Sequence, residues 1–319
     1  MSTLTPVPLV GSILWGMQRI IPNIWCSGNA DEVAAFYEYA FESVPGGIVI
    51  RSVEQYPQEG LLDLQEDLAG ETLSITLEIS GFRIVLINSG DEIRPTPALN
   101  FMLNFDPLMG SDMDKVQSLV WDRLKEDGRV LMELGEYPFS QSYGWVEDRF
   151  GVGWQLISTD PEGAARPFVL PSLMFGGAAQ NKAAAAQEQW VEAFPDSSVG
   201  ARAYYPEPTG PAEEGALMFS EFQLAGQWFT AMDSGVEQQE SFTPGVSLMF
   251  EADGQEELDR VWEALSAVPE AEQCGWLVDQ FGVSWQIVPS ILGELLTHPG
   301  AFEKLMNMKK IEMKDFTTP

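Results

Sequence analysis

The alternation of apolar and polar positions predicts short strands separated by amphipathic helices. A strand is expected at Ile20–Cys26, followed by a helix at 29–41 and a strand at 49–56. Segments 73–79 and 83–88 then alternate with a period of two, which predicts a β-hairpin. One strand, one helix and three strands therefore form the first unit of the chain.

A conspicuous motif occurs twice. YGWVEDRFGVGWQLI occupies residues 143–157, and CGWLVDQFGVSWQIV occupies residues 274–288. Both tryptophans, the aspartate, Phe-Gly-Val and the final Trp-Gln are identical between the two copies. The segments IPNIWCSGNA (21–30) and LPSLMFGGAA (170–179) align in the same order. The chain is therefore a tandem duplication, and a helix is expected at 178–194 in the second copy.

The duplication predicts the domain organisation. Residues 1–17 are an N-terminal extension without a basic region, so we do not interpret them as a signal peptide. Residues 18–160 form domain 1, and residues 161–290 form domain 2, whose final hairpin is shortened to VPEAEQC. A Pro- and Gly-containing linker separates the two domains. Residues 291–319 form a C-terminal helical tail.

The motifs resemble those of a known superfamily. IPNIWCSGNADEVAAFY in the first copy, the Gly-Trp-x-x-Asp-x-Phe-Gly-Val-x-Trp-Gln ending in both copies and the tail PSILGELL…MKKIEM are its specific marks. The sequence resembles the vicinal-oxygen-chelate superfamily (glyoxalase, bleomycin resistance, dioxygenase), in its PhnB-like, or demethylubiquinone-methyltransferase-like, branch. The resemblance implies an α+β fold of two tandem glyoxalase-like domains. Each would be built of paired βαβββ modules in a cup-shaped mixed sheet, and together they would form an intramolecular pseudo-dimer.

The resemblance also implies where a divalent metal would bind. The ligand positions fall on side chains that are not His, Asp or Glu, namely Pro22, Leu99 and Gln155 in the first copy and Pro171, Val246 and Gln286 in the second. A register shifted by one residue offers Asn23 and Asn100, or Ser172 and Ser247. Neutral amides are poor ligands for zinc or iron. We therefore expect no cofactor, with a divalent metal as the alternative.

Composition narrows the function further. The chain has 17 basic and 48 acidic residues, a net charge of −31, divided evenly between the halves. This charge argues against nucleic acid and against anionic membrane surfaces as partners. It indicates either a solvated acidic surface or attraction of a cationic small molecule. One histidine, His298, and two cysteines exclude multi-histidine metal sites and disulfide frameworks. We expect a cytoplasmic protein.

The nominal methyltransferase label has no support in the sequence. No Gly-x-Gly loop follows a strand and opens a helix, as nucleotide-type cofactor sites require. The sequence identifies no catalytic residues.

Candidate ligand-binding residues follow from the strand pattern together with the resemblance. The two residues of each Trp-Gln pair face opposite sides of their strand, and the resemblance implies that the glutamine faces the cavity while the tryptophan packs under the helices. Asn88 either contacts a ligand or forms a turn. Cys26 either faces the cavity or is an inert buried thiol. Tyr143 and Trp145 belong, with Tyr137 and Phe139, to the long final hairpin of the first copy, which either lines a cavity mouth or packs in the core. The cavity-lining candidates are Gln155, Gln286, Asn23, Cys26, Asn88, Asn100, Phe101, Tyr143 and Trp145.

Three functions are compatible with these features. The first is a metal-free cavity protein that binds a small molecule, in the manner of sequestering resistance proteins. The second is a lyase, isomerase or dioxygenase-type enzyme acting on a small oxygenated substrate. The third is a duplicated scaffold that acts through protein contacts.

Overall fold

Four successive modules, each opening with a strand and a helix, make up the chain. The computed structural model describes residues 18–59, 61, 67–160, 162 and 165–317, so the predicted extension at 1–17 lies outside the described residues. The first module contains β1 (Ile20–Cys26), α1 (Ala30–Phe41), β2 (Ile48–Gln55), β3 (Thr72–Ile79) and β4 (Phe82–Asn88). The second contains β5 (Leu99–Phe105), α2 (Met113–Leu124), β6 (Arg129–Tyr137), β7 (Ser140–Glu147) and β8 (Gly153–Ser158).

The second repeat follows the same plan. The third module contains β9 (Val169–Phe175), α3 (Ala183–Ala193), β10 (Ser198–Tyr204), β11 (Leu217–Leu224) and β12 (Gln227–Asp233). The fourth contains β13 (Val246–Ala252), α4 (Gln255–Leu265), β14 (Trp276–Val278) and β15 (Ser284–Pro289). Three short helices end the described chain, namely α5 (Leu292–Leu295), α6 (Ala301–Met306) and α7 (Met313–Thr317).

Each of the two sheets contains strands of both repeats. The seven-stranded sheet has the order β14-β15-β13-β1-β4-β3-β2, and the eight-stranded sheet has the order β10-β11-β12-β9-β5-β8-β7-β6. Strand β1 pairs antiparallel with β13, and β5 pairs antiparallel with β9. The expected α+β fold of two tandem glyoxalase-like units is therefore confirmed. The structure adds that modules one and four share one sheet, while modules two and three share the other.

Within each repeat, helices connect the two sheets. Helix α1 packs on β3 and on α2, whereas α2 packs on β8 of the other sheet. The aromatic rings of Tyr37 in α1 and Trp154 in β8 lie 5.4 Å apart, edge to face. Helices α3 and α4 pack on each other in the same way. The helix-bearing faces of both sheets therefore meet in one apolar core.

The first helix of the second repeat begins later than the expected residue 178. Asn181 has a left-handed backbone, with φ of 64°, and interrupts the helical path there. Helix α3 starts at Ala183, whose amide donates to the Asp233 carboxylate over 3.2 Å. Among the described helices, none is long and apolar enough to cross a membrane.

Candidate functional site

A polar cluster lies on the eight-stranded sheet, on the face away from the helices. Trp154 is fully buried against α1, so its neighbour Gln155 must face the opposite side of β8. Asn100 of β5 and Ser172 of β9 are paired across the strands and lie beside Gln155. Side chains of both repeats therefore meet here, because β5 and β9 belong to different repeats.

Gln155 is the hub of this cluster. Its amide nitrogen Nε2 donates to Oδ1 of Asn100 over 2.8 Å and to Oγ of Ser172 over 3.2 Å. Its oxygen Oε1 accepts a hydrogen bond from the Tyr143 hydroxyl over 2.7 Å. Burial, followed by the nearby Tyr137, raises the pKa of Tyr143, so its hydroxyl stays protonated at neutral pH. The Gln155 side-chain amide therefore uses both of its N–H donors and one of the two lone pairs of its oxygen.

The seven-stranded sheet carries an equivalent but simpler cluster. Asn23 of β1 pairs with Ser247 of β13, and Gln286 Nε2 donates to Ser247 Oγ over 3.0 Å. The Asn23 amide donates to the carbonyl of Ile21 instead of joining the cluster. Cys274 occupies the position that Tyr143 has in the other repeat, so Gln286 has no tyrosine partner.

Two sets of positions were compared with the metal-ligand positions of the superfamily. The set shifted by one residue is the one that shares the strand faces of Gln155 and Gln286. Asn23, Asn100, Ser172 and Ser247 occupy corresponding positions in the first strands of the four modules. Across the strands, Asn23 pairs with Ser247 and Asn100 pairs with Ser172, so each pair joins the two repeats. The Gln155 cluster thus includes Ser172 of the other repeat, whereas the Gln286–Ser247 hydrogen bond lies within the second repeat.

Two buried polar atoms beside the Gln155 cluster have no hydrogen-bond partner. They are Nε1 of Trp145, the cross-strand neighbour of Gln155, and Oγ1 of Thr230, the cross-strand neighbour of Ser172. Trp145 points away from α2, because a Cβ on the preceding Gly144 would come within 2.7 Å of the Trp121 ring. Sequence reasoning missed Thr230, although alternation with the core residue Phe229 places it on the polar face.

Three predicted candidates lie on the other face of their strands. Phe101 stacks on Trp154 with ring centroids 4.9 Å apart. Cys26 lies in the core, where burial and then the charge of Asp148 raise its pKa to about 12. Asn88 accepts a hydrogen bond from the Ala30 amide over 2.8 Å and so caps α1. Asn23, Asn100, Gln155, Gln286, Tyr143 and Trp145 remain on the polar faces.

The aspartate of the repeated motif has a structural environment that the sequence did not reveal. Asp148 is buried and accepts hydrogen bonds from the hydroxyl of Tyr37, the indole of Trp154 and the amides of Phe150 and Val152, each between 2.9 and 3.1 Å. Burial nevertheless raises the pKa of Asp148 to about 6. Its counterpart Asp279 accepts hydrogen bonds from the indoles of Trp190 and Trp285 and from the amides of Phe281 and Val283.

The polar clusters do not fit a divalent metal. Their donors are amides and hydroxyls, which are weak ligands for zinc or iron. Within the part of the chain that the structure describes, no group of three or more His, Cys, Asp or Glu side chains could hold a metal ion. The chemistry that these residues can perform is hydrogen bonding and orientation of a bound molecule.

Comparison with protein families now adds to this geometry. The sequence profile of the 3-demethylubiquinone-9 3-methyltransferase family matches residues 18–157 and again residues 167–288. The chain belongs to this family. The two matches coincide with the two repeats, so the whole fold is a doubled family unit. None of the curated proteins compared with the sequence matches it.

The chain is also similar to solved structures. The PhnB protein from Bacillus cereus is 27% identical, and the match covers 44% of this chain and 100% of the PhnB protein, with a TM-score of 0.36. Glyoxalase I from Zea mays is 12% identical, and the match covers 91% of this chain and 95% of glyoxalase I, with a TM-score of 0.51. At this identity the likeness to glyoxalase I concerns the fold alone.

Proposed function

We propose that this PhnB-like protein binds a small oxygen-bearing molecule, without a metal ion, on the polar face of the eight-stranded sheet. The observation that carries the proposal is the pair of buried polar atoms without partners, Trp145 Nε1 and Thr230 Oγ1. They lie on either side of the Gln155 cluster. A buried polar group without a partner costs roughly 1–3 kcal/mol, so a ligand that pairs with both atoms gains that energy on binding.

The chemistry of the site defines the class of ligand. An indole N–H can only donate a hydrogen bond, so the group that meets Trp145 must be an acceptor, such as a carbonyl or ether oxygen. The other members of the site are Asn100, Tyr143, Gln155, Ser172 and Thr230, none of which is charged at neutral pH. An uncharged, oxygen-bearing part of the ligand therefore suits this surface.

Binding is favoured over catalysis by the same residues. Proton transfer requires a group that titrates near the working pH, and the amides, hydroxyls and indole of this site do not. The function is therefore sequestration or transport of the ligand, and an enzyme of the lyase, isomerase or dioxygenase type finds no acid or base here. The protein would act in the cytoplasm.

One observation favours the second candidate, a duplicated scaffold. Asn100, Gln155 and Ser172 are almost fully buried and hydrogen-bond to one another, as they would in a filled interior. A scaffold of this kind would act through its surface and would need no ligand.

Native mass spectrometry of protein purified from cells, before and after Thr230→Val, separates the two functions. We expect a small-molecule adduct on the wild type, and we expect it to be lost in Thr230→Val. The same variant should unfold at a slightly higher denaturant concentration, because it removes an unpaired buried hydroxyl at nearly constant volume. Thr76→Val on the seven-stranded sheet is the matched control and should keep the adduct. An adduct-free wild type would favour the scaffold.

A further inference from the structure

A cavity of about 590 Å³ lies at the tip of the β6–β7 hairpin, outside the polar cluster. The hairpin residues Glu136 to Gln141 form one side, and the end of β8 from Ser158 to Asp160 forms the other. The lining residues that bear on ligand binding are Asp114, Glu136, Tyr137, Phe139, Thr159 and Asp160. The second repeat has no equivalent, since its fourth module lacks this hairpin.

Aromatic rings form one wall of the cavity. Tyr137 and Phe139 are stacked, with centroids 5.7 Å apart and planes at 24°. Both also contact the buried ring of Tyr143 edge to face, at 5.6 and 5.0 Å. Phe139 is nevertheless 62% exposed, although exposure of so large an apolar ring to water is unfavourable. The three-ring cluster therefore holds an aromatic face in a fixed position towards solvent.

Carboxylates surround these rings. Asp114, Glu136 and Asp160 line the cavity, whereas no Lys, Arg or His is among its described lining residues. Because acidic residues are numerous throughout this chain, three carboxylates do not by themselves indicate a cation site. These three differ from the other acidic residues because they line the same half-open cavity as the exposed aromatic rings. In addition, Thr159 lines the same cavity, and its hydroxyl oxygen is buried without a hydrogen-bond partner.

We propose that this cavity binds an organic ammonium ion, with its charged head against the Tyr137–Phe139 face and between the carboxylates. An ammonium or quaternary amine is attracted to the π-face of an aromatic ring and is weakly hydrated enough to lie on it. The Thr159 hydroxyl can accept from an N–H group or donate to a ligand oxygen. A metal cation fits less well, because phenyl rings do not ligate it.

The surface charge would help such a ligand to arrive. The net charge of −31 raises the local concentration of cations around the protein and speeds their association. The cavity then adds an aromatic π-face in a fixed position, which the ammonium ion contacts. Binding in this cavity does not require the proposed binding at the Gln155 cluster, because the lining residues and the test variants differ; Tyr143 belongs to the Gln155 cluster and only supports the two cavity rings from behind.

Isothermal titration calorimetry with choline chloride tests the proposal, at about 0.15 M salt so that distant surface charges are screened. We expect saturable binding of choline and none of its uncharged isostere 3,3-dimethylbutan-1-ol. Phe139→Leu keeps apolar area but removes the π-face, and should weaken choline binding about two- to fivefold. Phe139→Tyr should retain it. Since Phe139 is largely exposed, neither variant should disturb folding.

The charge requirement is tested by a matched pair of variants. Glu136→Gln, in the cavity, should weaken choline binding, whereas Glu263→Gln, on the exposed side of α4, should not. Equal weakening by both would show attraction by the general surface charge and overturn the proposal. So would equal binding of the uncharged isostere, or no binding at ~10 mM choline, where a Kd of about 1 mM would give near-saturation. Thr230→Val should leave choline binding intact, which separates this site from the proposed function.

Discussion

The Tyr37 hydroxyl donates to the buried carboxylate of Asp148 over 2.9 Å, and so connects the first helix of the chain to the closing turn of the second module. Tyr37 lies in α1, which packs on the seven-stranded sheet, whereas Asp148 follows β7 of the eight-stranded sheet. In the second repeat, Trp190 Nε1 donates to Asp279 over 2.9 Å at the corresponding place. In each repeat, a buried polar contact thus joins modules that belong to different sheets.

Removal of this contact should destabilise the protein. In Tyr37→Phe the carboxylate of Asp148 keeps three partners but loses a hydrogen bond to a charged group, which is worth about 1.5–3 kcal/mol. Urea denaturation should show this loss. Tyr39→Phe, which removes an exposed hydrogen bond to Glu126, is the control and should change the free energy of unfolding by less than about 0.5 kcal/mol. Similar losses in both variants would contradict a special role for Tyr37.

The Asp148 carboxyl should also make stability depend on pH. Burial raises its pKa in the folded protein from 3.8 to about 6. Between these values the folded state binds more protons than the unfolded state, so this contribution is present at low pH and is lost as the pH rises towards 6 and beyond. The loss is on the order of 2–3 kcal/mol.

The comparison of wild type with Asp148→Asn isolates this effect from the other acidic residues. We expect the free energy of unfolding of the wild type, minus that of the variant, to fall between about pH 4 and pH 7. Urea denaturation at several pH values measures it, with the exposed Asp91→Asn as a control that should leave the profile unchanged. Parallel profiles of wild type and Asp148→Asn would show that Asp148 does not titrate in this range.

The two glutamine clusters should differ in their contribution to stability. Gln155→Ala leaves Asn100, Ser172 and Tyr143 without their shared partner, whereas Gln286→Ala affects Ser247 alone. At roughly 1 kcal/mol for each lost hydrogen bond, we expect losses of about 3 and about 1 kcal/mol. Chemical denaturation of the two single variants gives both values. An equal loss would mean that the three contacts of Gln155 do not add to stability.

The pairing of strands from different repeats predicts how each repeat behaves on its own. Residues 18–160 alone would leave the edges of β1 and β5 without their partners β13 and β9. Unpaired edges associate with other strands, so we expect the isolated repeat to dimerise or aggregate. Co-expression with residues 165–317 should restore a one-to-one complex. Analytical ultracentrifugation distinguishes these states, and a stable monomer of 18–160 would be the contrary result.

Much of the fold followed from local pattern, because a period of two or 3.6 residues fixes which element forms and which side chains share a face. Alternation also placed Trp154 and Gln155 on opposite faces of one strand, while the repeated motif showed the duplication and the family resemblance indicated which of the two faces the cavity. Alternation alone also shows that Asn100 and Phe101 cannot line the same cavity, and that Cys26 lies opposite Asn23. The structure places Phe101 and Cys26 in the core accordingly.

The sequence by itself thus determined the repeated module, its elements and the faces of its strands. Only the tertiary structure decided which modules share a sheet, and therefore that Asn100 and Ser172 of different repeats meet at Gln155. The physical reason is that strand pairing joins residues that are far apart in the chain, and backbone hydrogen bonds carry no sequence signal for the partner. The unpaired Trp145 and Thr230 atoms and the cavity beside Phe139 were also decided only by the tertiary structure, because burial and cavity shape depend on how the side chains pack around each group.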